Sequence, residues 1–217
     1  MTSSEYTALK AVGSKTDEGH ARRSEDILSA AVKVFAERGF AATDVQDIAD
    51  KAGVGKGTVY RHFGTKEGLF LAAADRGAQH LRTAIDGAAD GQDDPLDRIR
   101  VAVLAFLTFF DSHPEFVELV IQERAHFRDR QTPTFFDRRD DDNCRRWKGE
   151  MEGLIQRGVL RPLAVEQIMD LIGQMLFGAV FVNFFAGRQK PLARQSEEIV
   201  DFLFHGIVTP KDAANHA

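Results

Sequence analysis

The feature that most constrains this chain is the spacing of its apolar residues, which recur at helical intervals along nearly every ordered segment. One such stripe consists of Leu96, Ile99, Val103, Phe106 and Phe110. No run of Val, Ile and Thr alternates with polar residues between Asn-Gly or Asp-Gly turns, so strands are not expected. The sequence therefore predicts an all-α fold of about nine helices.

Glycine and proline residues mark the predicted helix boundaries. The first helix is predicted to begin near Ser24, a good N-cap residue, and to end at Gly39. The second begins near Thr43 or Asp44 and ends at Gly53. The remaining helices are predicted at about 56–62, 65–88, 95–111, 114–128, 134–157, 165–187 and 193–208.

Composition is typical of a globular protein with a sizeable core, because 43% of the 217 residues are apolar and 28% are charged. The single cysteine, Cys144, excludes an intramolecular disulfide and is interpreted as a spectator thiol in a charged helix. Residues 1–21 lack the apolar segment of a signal peptide and predict a flexible arm. Polar residues interrupt the apolar run 168–186, which favours a buried helix over a membrane span. We therefore expect a cytoplasmic protein.

Charge is distributed unevenly along the chain. Residues 51–66 contain four basic residues and no acid, a charge of +4, whereas the whole chain has a net charge of −5. Two short helical patterns meet there at Gly53, with small neighbours that allow close approach. A local cationic helix pair on an acidic protein is typical of a helix-turn-helix DNA-binding module.

The side chains of the third predicted helix suit different parts of DNA. Arg61 can read guanine through two hydrogen bonds, worth about 1–3 kcal/mol of discrimination. Thr58, Tyr60 and His62 offer hydroxyl and imidazole groups for phosphates. Gly57 lacks a side chain, which allows a close approach of its backbone to DNA. Val59 and Phe63 are predicted to hold the helix on the core.

In order and spacing, the residues of this region resemble the tetracycline-repressor (TetR, or TetR/AcrR-like) family of bacterial transcription regulators over about residues 22–70. The matching residues are Ile27, Ala30, Phe35, Gly39, Phe40, Thr43, Ile48, Ala49, Gly53, Val54, Gly57, Thr58, Tyr60, His62, Phe63, Lys66, Glu67, Leu69 and Phe70. The resemblance implies an all-helical homodimer with an N-terminal DNA-binding domain. It also implies a larger C-terminal domain that binds a small-molecule effector.

The resemblance also implies which residues contact DNA. Carried over position by position, these are Thr43, Gln46, Lys56, Gly57, Thr58, Tyr60, Arg61, His62 and Lys66. Asp44 departs from the family pattern, which often has a second Thr at its position. An aspartate caps a helix well but repels a phosphate at contact distance, so Asp44 is left out of the set.

These arguments together predict four segments. Residues 1–21 form the arm, 22–70 the helix-turn-helix domain, 71–210 the effector-binding and dimerisation domain, and 211–217 a tail. The predicted function is a homodimeric repressor of transcription that binds a palindromic operator and is released by an effector. The alternatives are a sequence-tolerant DNA-binding protein without a ligand, and a helical enzyme. The enzyme lacks support, because the sequence contains no phosphate-binding glycine loop, nucleophile elbow or paired metal motif.

The C-terminal segment is rich in phenylalanine, since thirteen of the seventeen lie after Pro95. Some of these rings are ordinary core, and others are predicted to line a pocket for a small apolar or amphipathic ligand. The predicted pocket residues are Phe106, Phe110, Glu123, Arg124, His126, Trp147 and Phe177. Glu123 and His126 share a helix face, but one E-x-x-H without a second copy does not predict a metal site, and no cofactor is expected.

Two apolar helices at 165–187 and 193–208 are predicted to pair with their symmetry mates as a four-helix dimer interface. The proposed members are Leu171, Met175, Phe202, Leu203 and Ile207, whereas Phe204 is a candidate for the subunit's own core. The charged segment 137–146 is interpreted as a solvated helix face with pairs such as Asp142–Arg146.

Overall fold

The computed structural model describes residues 3–130, 132–136, 142–187 and 190–208, with side chains from residue 19 onward except 142 and 143. These residues contain nine α-helices. They are α1 (Ser3–Arg38), α2 (Val45–Lys51), α3 (Lys56–Phe63), α4 (Lys66–Ala89), α5 (Pro95–Ser112), α6 (Glu115–His126), α7 (Asp142–Gln156), α8 (Val165–Phe185) and α9 (Ser196–Ile207). Two short 3-10 helices lie at Thr134–Phe136 and Leu192–Gln195. Within the described ranges the only β pairing is an isolated bridge between Leu160 and Val208. The predicted all-α fold is confirmed.

The start of α1 is the largest error in the predicted boundaries. The helix begins at Ser3, so Ser24 lies inside it and is not an N-cap, and residues 3–21 are helical where the sequence predicts a flexible arm. The segment contains no proline, and seven of its residues are Ala, Lys or Glu, which favour helix. A low apolar content therefore did not prevent helix formation. The predicted tail, 211–217, lies outside the described residues.

Two predicted helices contain a 3-10 helix in the structure. The described parts of the predicted helix 134–157 are the 3-10 helix Thr134–Phe136 and α7, Asp142–Gln156. The predicted helix 193–208 is the 3-10 helix Leu192–Gln195 followed by α9. The Asp111 carboxylate accepts hydrogen bonds from the amides of Leu192 (2.8 Å) and Ala193 (2.9 Å), and these bonds fix the 3-10 turn.

The chain divides into two compact units. The first contains Met1–Arg76 and Glu118–Thr134, and the second contains Gly77–Val117 and Phe135–Ala217. A late segment of the chain, most of α6 and the loop after it, therefore belongs with the N-terminal helices. The predicted single boundary near residue 70 does not anticipate this return of the chain, and its functional assignment stays a prediction.

The core of the first unit combines helix packing with an aromatic cluster. Ile27, Phe35 and Ile48 are fully buried between α1 and α2. The aromatic cluster consists of Phe35, Phe40, Phe70, His126 and Phe127, with ring centroids 5.0–6.0 Å apart in the contacting pairs. His126 and Phe127 come from the late segment. Aromatic pairs at these separations add stabilisation beyond the area that they bury.

The second unit is built around α5, which contacts α8, α9 and the 3-10 helix Leu192–Gln195. Its buried residues include Val103, Leu107 and Phe110. Asp94 caps the helix by accepting from the amides of Leu96 (2.7 Å) and Asp97 (3.2 Å), and Pro95 occupies the first turn, where its missing amide costs least.

Candidate DNA interface and effector cavity

The first candidate site is the helix pair α2–α3. Asp44 is the N-cap of α2, and its Oδ1 accepts a hydrogen bond from the Gln46 amide at 2.8 Å. After α2 the chain reverses at Gly53, whose φ of 67° is readily adopted only by glycine. The Val54 amide then donates to the Ala49 carbonyl at 2.9 Å, which closes the turn. This short connection fixes the direction in which α3 leaves the core.

Helix α3 has one buried side and one exposed side. Val59 is 1% exposed and anchors the helix, as predicted. Gly57, Tyr60 and Arg61 are exposed, and a Cβ built on Gly57 would meet no atom within 4 Å. Packing inside the chain therefore does not require a glycine at position 57. The helix ends at Gly64, whose φ is 74°. Its free surface is thus polar and cationic.

Two of the predicted cationic contacts already have partners within the first unit. Lys56 Nζ lies 2.8 Å from Asp44 Oδ1, in an exposed ion pair. Lys66 Nζ donates to the Ala41 carbonyl at 3.2 Å and lies 4.9 Å from the Phe40 ring centroid. Arg61 contacts the Thr58 hydroxyl at 3.4 Å. The basic side chains are held near the surface by local partners.

His62 is half-buried at the end of α3. Its Nε2 atom is buried and has no hydrogen-bond partner, and its ring lies 5.7 Å from the ring of His20. Burial lowers the pKa of His62, and the nearby His20, Arg61 and Arg23 lower it further. The imidazole is therefore neutral at neutral pH, so any contact that it makes to a phosphate in that state would be a hydrogen bond from a neutral donor and not an ion pair.

Two predicted DNA contacts lie at the start of α2. Thr43 is only 3% exposed, and its hydroxyl donates to the Gly39 carbonyl at 2.7 Å. A hydroxyl that is buried and already donating is poorly placed to reach a phosphate. Gln46 is exposed, and its side chain donates to Asp50 at 2.7 Å. Every member of the predicted DNA-contact set except Thr43 keeps exposed surface in the free chain.

The second candidate site is a cavity of about 210 Å³ inside the second unit. Its walls come from α4, α5, the turn at Phe135, α7 and α8, and most of them are apolar. The lining residues are Ala78, Leu81, Arg82, Ile85, Ile99, Ala102, Val103, Phe106, Phe135, Cys144, Trp147, Met151, Met169, Ile172, Gly173, Leu176 and Phe177. A concave, mostly apolar space with few polar groups is the usual form of a small-molecule site.

Of the seven predicted pocket residues, Phe106, Trp147 and Phe177 line this cavity. Phe110 is buried behind the wall, with its ring 5.2 Å from that of Phe106. Arg82 and Cys144, which the sequence analysis did not assign to the pocket, also line the cavity. Cys144, which the sequence analysis interprets as a spectator thiol in a charged helix, therefore lies at the cavity wall. Its helical spacing from Trp147 and Met151, at i+3 and i+7, was the available signal.

The polar residues predicted for the pocket lie elsewhere. Glu123, Arg124 and His126 belong to the first unit and line no part of the cavity. Arg124 is exposed, and His126 packs on Phe40. Their spacing on one helix face indicated a common location but could not identify what that face contacts. Across the side chains described, no three His, Cys, Asp or Glu residues are grouped so that they could hold a metal ion.

Glu123 has a structural role instead. It is 1% exposed, and both carboxylate oxygens accept from the Thr134 amide, at 3.0 and 3.1 Å. The Thr134 hydroxyl donates to Oε1 at 2.9 Å, and Arg130 Nε lies 3.4 Å away. A buried carboxylate that receives several hydrogen bonds and a cation is well stabilised. It ties the loop after α6 back to the helix.

Helices α8 and α9 expose an apolar face. Leu171, Val182, Phe185 and Phe202 are 45–76% exposed. Of the other predicted dimer residues, Met175 is half-buried, whereas Leu203 and Ile207 are buried within the chain. Phe204 is also buried, as predicted for a residue of the subunit's own core.

Helix α8 is also the one helix, among the residues described, with the length and mean hydropathy (1.7) to cross a membrane. This property alone is weak evidence, because core and interface helices share it.

The charged segment before α7 is only partly described. Asp142 has no described side chain, so the predicted pair Asp142–Arg146 lies outside the described residues. Arg146 instead pairs with Asp86 of α4 and with Asp90, which directly follows that helix, its Nη1 lying 3.1 Å from Asp90 Oδ1.

Comparison with known proteins gives the context of both sites. Residues 27–73 match the family described as bacterial regulatory proteins, tetR family. A transcriptional activator, FasR of Mycolicibacterium smegmatis, is 35% identical over 100 residues, which cover 46% of this chain and 46% of that protein. The transcriptional repressor KstR2 of Mycobacterium tuberculosis is 28% identical over 164 residues, 76% of this chain and 80% of that protein. The chain therefore spans less than half of the activator's length but most of the repressor's.

A similar fold is found in the transcriptional regulator FadR of Bacillus subtilis, solved in complex with stearoyl-CoA. Its TM-score is 0.60 at 19% identity, over 84% of this chain and 98% of that chain.

Proposed function

Because the chain belongs to the TetR family of bacterial regulatory proteins, we propose that it is a homodimeric, sequence-specific repressor that a small-molecule effector releases from a palindromic operator. The transcriptional-regulator part of this description is shared by the named relatives. The relatives include an activator as well as a repressor. Beyond that, we propose four properties for this chain: repression, a dimer, an effector and a cytoplasmic location.

The observation that carries the proposal is the exposed face of α3. A short helix is fixed by one buried side chain and a tight glycine turn, and it presents Lys56, Tyr60 and Arg61 on its free side. In a helix-turn-helix the N-terminal residues of the second helix enter the major groove, where an arginine can read guanine. The direct base contact is assigned to Arg61. Gln46, Lys56, Gly57, Thr58, Tyr60, His62 and Lys66 are assigned to backbone contacts, and Thr43 is left out.

The cavity supports an effector that is apolar or amphipathic. Most of its walls are aliphatic or aromatic, and Arg82 is the one charged residue among those that line it. FadR, a protein of the same fold, binds stearoyl-CoA. By that analogy, a ligand with an apolar body and a single polar or anionic end fits the cavity's chemistry. Arg82, Phe106, Trp147 and Phe177 are its proposed contacts.

The exposed apolar face of α8 and α9 supports the dimer. Exposed aromatic side chains such as Phe185 and Phe202 are costly on a monomer surface and are typical of a covered interface. A two-fold dimer through this face would set two copies of α3 for half-sites about one helical turn apart, roughly 34–36 Å. Sedimentation equilibrium of the chain measures the proposed dimer directly.

The function is tested by selecting a binding sequence from random duplexes and measuring affinity by fluorescence anisotropy. For Arg61→Ala we expect a loss of about 1–3 kcal/mol in discrimination, which is about 5- to 150-fold, at one base position in each half-site. Arg194→Ala, which removes an exposed arginine outside the first unit, is the matched control. Binding with no preference for any sequence would support the sequence-tolerant alternative. An unchanged preference in Arg61→Ala would remove the base-reading role.

A further inference from the structure

Asp44 is the one position at which the helix-turn-helix departs from its family, and the structure shows what the departure does. A single oxygen, Oδ1, accepts both the Gln46 amide and the Lys56 ammonium, each at 2.8 Å. The first bond caps α2, as a serine or threonine at this position could also do. The second bond is also an ion pair, which a serine or threonine could not form. It joins the start of α2 to the first residue of α3, twelve positions further along the chain.

The position of this ion pair matters because Lys56 opens the recognition helix. The N-terminal residues of such a helix enter the major groove and approach the phosphates that border it. In the free chain the Lys56 ammonium is already neutralised by a carboxylate. Both side chains are exposed, 39% for Lys56 and 62% for Asp44, so the pair faces the solvent that DNA would replace.

We propose that Asp44 competes with DNA for Lys56, so that this chain binds DNA with one fewer effective phosphate contact per subunit than its cationic residues allow. This inference rests on the proposed DNA-binding function and adds a specific limit on affinity. When DNA approaches, either the ion pair opens, at the cost of its own energy, or it stays closed and the phosphate contact is lost. In either case Asp44 also repels the nearest phosphate.

The chemistry of Asp44 fits this role. Its hydrogen bond from the Gln46 amide and its pairing with Lys56 lower its pKa, so the carboxylate stays charged throughout the physiological range. The same contact raises the pKa of Lys56. Both groups keep their charge through ordinary changes of pH, so the competition is a constant property of the chain. Screening by salt weakens the ion pair and the phosphate contact together.

Salt dependence is the quantity that counts phosphate contacts. The logarithm of the affinity falls with the logarithm of salt concentration by about 0.9 for each phosphate neutralised. A phosphate contact recovered through Lys56 should therefore steepen this slope by about 0.9 per bound chain. By the same relation, affinity at 0.1 M salt should rise about eightfold per chain.

The test compares Asp44→Asn with Asp47→Asn. Asparagine caps a helix as well as aspartate, so α2 should be preserved. Asp47 lies on the same helix but pairs with Arg38 at 2.5 Å, so Asp47→Asn removes the same charge without releasing Lys56. We expect the steeper slope only in Asp44→Asn, measured on a nonspecific duplex and on the selected operator, with melting curves as the check on folding.

Lys56→Gln completes the cycle. It should change the salt slope less in the natural chain than in the Asp44→Asn chain, where it should remove the gained 0.9. Equal effects of Asp44→Asn and Asp47→Asn, or equal effects of Lys56→Gln in both backgrounds, would overturn the competition. The proposed function fails in a different way, through loss of operator preference in every chain. The slopes on nonspecific duplex would still decide the role of Asp44 in that case.

Discussion

The α3 face and the cavity differ in how the chain builds them. The proposed DNA contacts, on and beside the α3 face, come from about twenty consecutive positions, from Gln46 to Lys66. The cavity combines residues 78–177 from four helices and one turn. A surface site made from neighbouring positions can be recognised in the sequence as a motif, because spacing alone fixes which side chains share a face. A cavity made from distant positions is not, because its lining depends on how the helices pack.

The comparison predicts that the cavity can be filled without loss of the α3 face. We expect Ala102→Phe, which adds a ring on the α5 wall, to abolish the effector response while operator affinity stays within about threefold of the natural chain, less than 1 kcal/mol. Effector coupling in such proteins is typically about 1–3 kcal/mol, or 5- to 150-fold in affinity. Operator binding is measured by anisotropy with and without fatty acids and acyl-CoA thioesters of eight to eighteen carbons.

The control for Ala102→Phe is Leu104→Phe, on the exposed side of the same helix, outside the cavity. It should respond to the effector as the natural chain does. An effector response that survives in Ala102→Phe would place the binding site outside the cavity and would break the comparison.

Glu123 sharpens the comparison, because the first unit also contains a contact between residues that are not neighbours in the sequence, Glu123 and Thr134. We expect Glu123→Gln to cost about 2 kcal/mol, since an amide group loses charged hydrogen bonds and turns a donor toward the Thr134 amide. For a chain of this length the melting temperature should fall by about 4–8 °C. Glu118→Gln, which is half-buried on the same helix, is the control. Equal melting temperatures for the two variants would contradict the assigned role.

The smallest expected effect concerns His62 and pH. Since burial lowers the folded-state pKa of His62, the unfolded chain binds the proton more readily. The contribution of His62 to stability is therefore fully present above the unfolded value near 6.5 and is lost as pH falls below it. We expect His62→Gln to reduce the drop in melting temperature between pH 7 and pH 5 by at most about 2 °C, the size of a sub-kcal/mol effect.

A steeper drop in His62→Gln would reverse the sign of the argument.

Features that depend on residues close together in the sequence could be predicted, whereas contacts between distant residues could not. The helix periods, the turn at Gly53 and the buried Val59 depend on residues within a few positions, and they were predicted correctly. Asp44 was singled out from the sequence, but its partner Lys56 twelve positions away was not. Glu123 was assigned to a ligand because nothing local indicates its bonds to Thr134. A polar residue such as Glu123 in an otherwise apolar helix indicates a specific role, but the sequence does not distinguish ligand binding from a structural hydrogen bond.

The return of Glu118–Thr134 to the first unit has a consequence for anyone who builds hybrid regulators from this chain. Exchanging only residues 1–76 for those of a relative would leave His126 and Phe127 facing a foreign Phe40 and Phe70. A working graft therefore needs three crossovers, after Arg76, Val117 and Thr134. The unit that we propose binds DNA is therefore discontinuous in the sequence, and it must be transplanted in two pieces.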